Sequence, residues 1–307
     1  MTWGFEATNE SGQVLVSSDT RNLHFAGKAT LNRIIRQFDG YGGLRHYAFW
    51  IDCDATPLPF FTMPTSDYYG IVAVRKVDGS RTWEIELIRS GTSSLIPEIY
   101  VFCEPGGINR QTGTDYGMQV FTNNGSLSFD SRLAPMVVTG GISVQPPSNP
   151  LLIGPNRLDP RFCRSDPGNQ MGPDNRNTYA FTVSGSKPIF FFPSVAQAER
   201  EFSYYASEEE CDGLDAYGNC VGAKRNYSWT SYYWAFYRGG IRYVGGYLYA
   251  GWITAHYGCN WNYKKDSAFL GIGTGGSSNT DGKWPYSNET LNLTPTTVIT
   301  SNGARYD

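Results

Sequence analysis

Hydrophobic and polar positions alternate with a period of two along much of this chain, the signature of half-buried β-strands. In WGFEATNESGQVLVSSD (3–19), Trp3, Phe5 and Ala7 mark one strand face. After the turn Glu10-Ser11-Gly12, Val14 and Val16 mark the next. Further strands are predicted at Tyr68–Val77 (YYGIVAVRKV) and, beyond an Asp78-Gly79 turn, at Trp83–Arg89 (WEIELIR). PEIYVF (97–102) closes this meander, and a Gly-rich linker follows at 104–115. Two stretches depart from the period of two. Leu31, Ile34, Ile35 and Phe38 have the i, i+3, i+4, i+7 spacing of a short helix, and SVAQAEREF (194–202) opens with a Ser194/Gln197 capping box that predicts a helix start.

The hairpin pattern occurs twice. Residues 3–25 align without a gap to YGMQVFTNNGSLSFDSRLAPMVV (116–138), with Gly4/Gly117, Gly12/Gly125 and Ser18/Ser131 identical. Trp3, Phe5 and Ala7 match Tyr116, Met118 and Val120 as an expected inward face, and Val14 and Val16 match Leu127 and Phe129. Both turns place Gly where a positive φ is expected. The pattern implies a structural duplication. The second copy continues through strands at Thr178–Val183 and Pro188–Phe192 into an aromatic run, 227–263, which holds fourteen aromatic residues. Gly-Gly pairs at 239–240 and 245–246 are expected to punctuate that run into hairpins. The expected architecture is all-β. It comprises two tandem antiparallel β-sandwich-like domains, 1–108 and 109–307, the second enlarged by a short helix and the aromatic-rich region.

Composition agrees with the pattern. Of 307 residues 40% are apolar and only 17% charged, with 35 Gly, 21 Tyr, 17 Phe and 17 Pro. A net charge of −3 offers no basic footprint for nucleic acid. No apolar run reaches the roughly 18 residues of a membrane helix. The opening MTWGFEATNESG lacks the basic and apolar regions of a secretory signal, so the six cysteines are expected to meet a reducing cytosol.

Candidate chemistry is sparse. His24, His46 and His256 sit in no hydrolytic or metalloprotease signature, and the strand pattern places His24 on the surface. The acidic run Glu208-Glu209-Glu210 with Asp212 reads as a solvated loop rather than a catalytic pair. Cys211 and Cys220 bracket an acidic loop open to several readings. They are free thiols, a disulfide, a zinc site with His256 and Cys259, or one edge of a calcium site at Asp212, Asp215 and Asn219. Free thiols are the simplest reading, and no cofactor or metal is expected. The aromatic run supplies both core and surface, and its exposed members are expected among Tyr232, Trp234, Tyr243, Tyr247, Tyr249, Trp252 and Tyr257. Such a face would bind a receptor glycan or a protein partner.

The segment YGMQVFTNNGSLSFDSR, with WGFEATNESGQVLVSSD as a degenerate copy and PEIYVFCEP as a closing strand, resembles the β-rich tail-tip (baseplate) proteins of long, non-contractile-tailed bacteriophages. The resemblance covers residues 1–145. It implies a virion component without enzymatic activity, made in the host cytoplasm and assembled as a homo-oligomer, a trimer being favoured. Other tail proteins and a host surface receptor are the implied partners. The copies differ at the end of the motif, with Ser17-Ser18-Asp19 in the first where the second has Asp130-Ser131-Arg132.

Overall fold

The computed structural model describes residues 6–8, 14–17, 22–38, 43–108, 116–147, 176–211, 215–216, 221, 224–265 and 286–307. Its regular structure is antiparallel β throughout, apart from 3-10 turns at Pro105–Gly107 and Gly303–Arg305. One small hairpin comes first in each copy. β1 (Glu6–Thr8) pairs β2 (Val14–Ser17), and β9 (Gln119–Phe121) pairs β10 (Leu127–Asp130). The gapless sequence alignment superposes every partner. Glu6↔Ser17, Ala7↔Val16 and Thr8↔Val14 become Gln119↔Asp130, Val120↔Phe129 and Phe121↔Leu127. Even the bulge repeats, skipping Leu15 in one hairpin and Ser128 in the other.

The remaining strands form one large sheet. In the first copy they are β3 (His24–Phe38), β4 (Leu44–Asp52), β5 (Leu58–Phe61), β6 (Tyr69–Lys76), β7 (Thr82–Ser90) and β8 (Ile99–Cys103). The second supplies β11 (Gly140–Val144), β12 (Asn177–Ala180), β13 (Pro188–Phe191), β14 (Gln197–Cys211), β15 (Lys224–Val244), β16 (Tyr247–Lys265), β17 (Tyr286–Asn292) and β18 (Thr296–Asn302). The pairings β3–β8–β5 and β4–β7–β6 of the first copy recur as β11–β18–β13 and β12–β16–β15. The copies meet twice, each time through equivalent strands. β5 pairs β13 at Phe61↔Phe190, and β6 pairs β15 at Tyr69↔Ile241. Like strand beside like strand, antiparallel at both joins, is the arrangement of an internal two-fold. The circuit almost closes. β3 is long enough to pair both β8 and β4, whereas β11 and β12 are joined by side chains, Tyr179 Oη accepting from Gln145 N (2.8 Å) and Asn177 Nδ2 donating to Gln145 O (2.8 Å).

Residues on either side of position 108 share this sheet and its core. Tyr47, Phe49, Tyr69, Ile85 and Leu87 pack in one cluster with Phe190, Phe192, Ile241, Leu248 and Val298.

Several sequence expectations are corrected. No α-helix occurs among the described residues. The helical spacing of Leu31, Ile34, Ile35 and Phe38 lies in β3, where two bulges against β4 skip Asn32 and Ile35 and so disturb the period of two. The expected helix at 194–202 is instead a short loop, 194–196, and the first residues of β14. Ser194 is not a cap: its N donates to Ile71 O (2.7 Å) and its Oγ to Gly239 O (2.6 Å), while Gln197–Phe202 pair with β15 on one side and β17 on the other. The Gly245-Gly246 pair makes the β15–β16 turn, with φ of 60° and 82°. Gly239-Gly240 instead lies inside β15, where bare backbone lets Ala196 and Tyr68 approach.

The second hairpin turns a polar face inward. Ser128 and Asp130 are fully buried, while of the expected inward trio only Val120 is buried, and Tyr116 and Met118 are exposed. The buried polar atoms are satisfied. Asp130 accepts from Arg132 Nε (2.8 Å) and Nη2 (2.6 Å), from Arg132 N (3.0 Å) and from Gln119 Nε2 (2.9 Å). His24, expected on the surface, is 0% exposed. Its Nδ1 donates to Asn22 O (3.1 Å), its Nε2 accepts from Asp130 N (3.5 Å), and its ring packs 5.3 Å from that of Phe129. The reason is tertiary: β3 begins beside this hairpin, with Phe25 N bonded to Ala134 O and Met136 N to Leu23 O.

Candidate functional site

The face that emerges from the aromatic region lies where β12, β16 and β15 run side by side. Register sets Thr178, Tyr249 and Arg242 in one row. Because strand residues two apart share a face, Arg176, Ala180, Tyr247 and Val244 join them. Thr178, Ala180, Val244 and Tyr247 are exposed, the last by 48%, whereas Arg176, Arg242 and Tyr249 are half-buried. The opposite face, with Tyr179, Ile241, Leu248 and Ala250, belongs to the core.

On the outer face arginines and tyrosines interleave. The Arg242 guanidinium carbon stands 5.0 Å from the centroid of the Tyr68 ring and 4.8 Å from that of Tyr249. Arg176 stands 4.6 Å from the same Tyr249 ring, and Tyr247 stands 6.5 Å from it. Each guanidinium rests on an electron-rich ring, an attraction worth about 0.5–2 kcal/mol depending on desolvation. Tyr68 comes from the other copy, immediately before β6. Gly251 and Gly240 make room for it: a Cβ on Gly251 would stand 2.6 Å from the Tyr68 ring. Burial pushes the Tyr68 phenol upward in pKa, so its hydroxyl stays protonated at neutral pH. Arg242 Nε is buried and has no hydrogen-bond partner. Among the described residues neither Arg176 nor Arg242 meets a carboxylate.

The aromatic candidates divide along the strand period. Tyr247 and Tyr249 lie on the outer face. Tyr243 lies on the inner one, half-buried with its ring 5.6 Å from that of Phe190. Trp252 is 2% exposed, packed with Ala196, Ala198 and Tyr237 while its Nε1 donates to Pro147 O (3.2 Å). It is a core residue and offers no surface for stacking. Tyr232 and Trp234 fall within β15 and Tyr257 within β16, and their side chains lie outside the described residues, as do those of Glu208–Glu210, Cys211, Cys220, His256 and Cys259. The residues that sequence reasoning missed are Arg176, Arg242 and Tyr68. No local pattern joins Tyr68 to Arg242, since only the pairing of β6 with β15 brings them together.

Two buried thiols outside that region, Cys53 and Cys103, are free and share a hydrogen bond that pushes Cys103 upward and Cys53 downward in pKa. Among the described residues no three metal-ligating side chains converge, and no helix is long and apolar enough to cross a membrane. No protein-family model, curated protein or solved structure matches this chain.

Proposed function

We propose that this protein is a structural component of a bacteriophage tail tip, a non-enzymatic virion protein that assembles with copies of itself, in threes, and with other tail proteins. One observation supports the reading most. The two segments that carry the resemblance fold as the same hairpin, with identical partners and an identical bulge. In the second copy Asp130 and Arg132 of the FDSR motif serve architecture, each satisfying the other inside the chain. Few charges and many aromatic residues suit permanent subunit interfaces.

The test is composition and stoichiometry. Purified virions should contain the chain in their tails, and light scattering of the isolated protein should give a trimer. Absence from virions, or a monomer at every concentration, would sink the proposal. A second reading, receptor contact by the same chain, draws on the outer face around Tyr247 and Tyr249. Soluble protein added before the phage should then reduce adsorption, and undiminished adsorption at saturating protein would count against it.

A further inference from the structure

We infer that the outer face of β12, β15 and β16 is a binding site for an acidic saccharide, whose carboxylate or phosphate is held by Arg176 and Arg242. The inference deepens the receptor-contact reading by naming the chemistry of the ligand.

Charge pairing draws attention to this pair. Many other cationic side chains have oxygen partners. Lys28 and Lys187 meet Glu98 and Asp307, Arg132 is held by Asp130, and Arg89 donates to the carbonyls of Leu95 and Ser93. Arg176 and Arg242 instead stand against the one Tyr249 ring with aromatic neighbours and no counter-charge among the described residues. Two like charges near one ring repel each other, and an anion between them reverses that cost. Stacking occupies the flat faces of a guanidinium but leaves its N–H edge available, the geometry that grips a carboxylate or phosphate through paired hydrogen bonds. Arg242 Nε is itself buried, so the anion is met by the terminal Nη groups of its fork.

The surroundings favour a sugar as the carrier of the anion. Tyr247 presents an exposed ring beside Tyr249, and Thr178 an exposed hydroxyl in the same row as Tyr249 and Arg242. A ring to stack on, a hydroxyl to exchange hydrogen bonds and a cationic pair together match a ring-shaped polyol bearing a negative group.

The experiment is calorimetric titration of the full chain with oligogalacturonate, with a phosphate-bearing oligosaccharide, and with an uncharged cello-oligosaccharide of equal length. One acidic ligand should bind at least about tenfold more tightly than the neutral one, and added salt should weaken it. Whichever anion binds identifies the natural charge. Arg176→Gln and Arg242→Gln should each weaken binding by about tenfold or more, and Tyr247→Ala by less. If Arg242→Gln fails to fold, Arg176→Gln, at a half-buried position just before β12, decides alone. Equal binding of acidic and neutral sugars overturns the inference. So does full affinity in a folded Arg176→Gln, or no binding of either acid at millimolar concentration. Such a failure would leave the virion-composition test untouched, so the two proposals fail separately.

Discussion

After its opening hairpin, and counting its closing strand, the first copy has six strands among the described residues and the second eight. The two additions, β14 and β17, pair with each other, and β14 also pairs with β15 along its whole length. The second copy also lengthens its central hairpin: β6 and β7 run 8 and 9 residues, while β15 and β16 run 21 and 19. Among the described residues the added strands lie together beyond β15, while the strands that join the copies kept their places. The contrast separates an economical scaffold from an elaborated surface, and the arginine–tyrosine face lies on the elaborated side.

Severing the copies should have the largest effect. Fragment 1–108 exposes the edges of β5 and β6 together with the core residues that meet Phe190 and Ile241, and unpaired apolar edges drive aggregation. Expressed alone it should show no cooperative melt, and co-expression with 109–307 should restore one. A fragment that melts cooperatively by itself would make the copies independent bodies. Next in size is the contrast between the two faces of β16. Trp252→Ala empties a buried site and should cost about 3–5 kcal/mol, whereas Tyr247→Ala on the exposed face should stay within about 0.5 kcal/mol. Urea unfolding measures both, and similar losses would erase the division of faces.

The third comparison sets hairpin against hairpin. Asp130→Ala removes a buried acceptor of four hydrogen bonds from Arg132 and Gln119 and should destabilise by about 2–3 kcal/mol. Ser17, at the aligned position, carries no carboxylate, so Ser17→Ala should cost less than Asp130→Ala. Equal effects would mean that both hairpins carry an equivalent lock. The smallest effect is on pH dependence. Burial holds His24 below the ordinary imidazole value of 6.5, against the weaker upward pull of Asn22 O and Asp130. The unfolded chain therefore binds a proton at this residue near pH 6.5 that the folded chain refuses. Stability should be level above that pH and fall as pH drops below it. His24→Gln should flatten the decline without abolishing it, because His46 is also lowered by burial. An unchanged slope would remove His24 from the account.

The sequence revealed those features that are local. Alternation located the hairpins, Asp78-Gly79 and Gly245-Gly246 located turns, and the gapless alignment anticipated a register that the backbone repeats residue for residue. Features decided by distant partners were hidden. The bulges of β3 imitate helical spacing, and they arise where that strand crosses from β8 to β4. Ser194 resembles a cap until Gly239 and Ile71 claim its polar atoms. His24 looks superficial until the second hairpin covers it. The binding face was half legible: Tyr247 and Tyr249 stood out as aromatic, but Arg242 gains its meaning from Tyr68, which belongs to the other copy.

The nesting of the strands bears on how fast the molecule can form. β11 emerges at 140–144, yet the strand it pairs with, β18, is not made until 296–302, and β18 must then enter between β11 and β13. β3 and β8 are likewise separated by most of the first copy. Each closure ties up a long loop before any contact repays it, which predicts slow folding. During synthesis the first copy has all its own strands well before the second, so its β5 and β6 edges wait for partners not yet translated. The newborn chain passes through a period in which its stickiest edges are open.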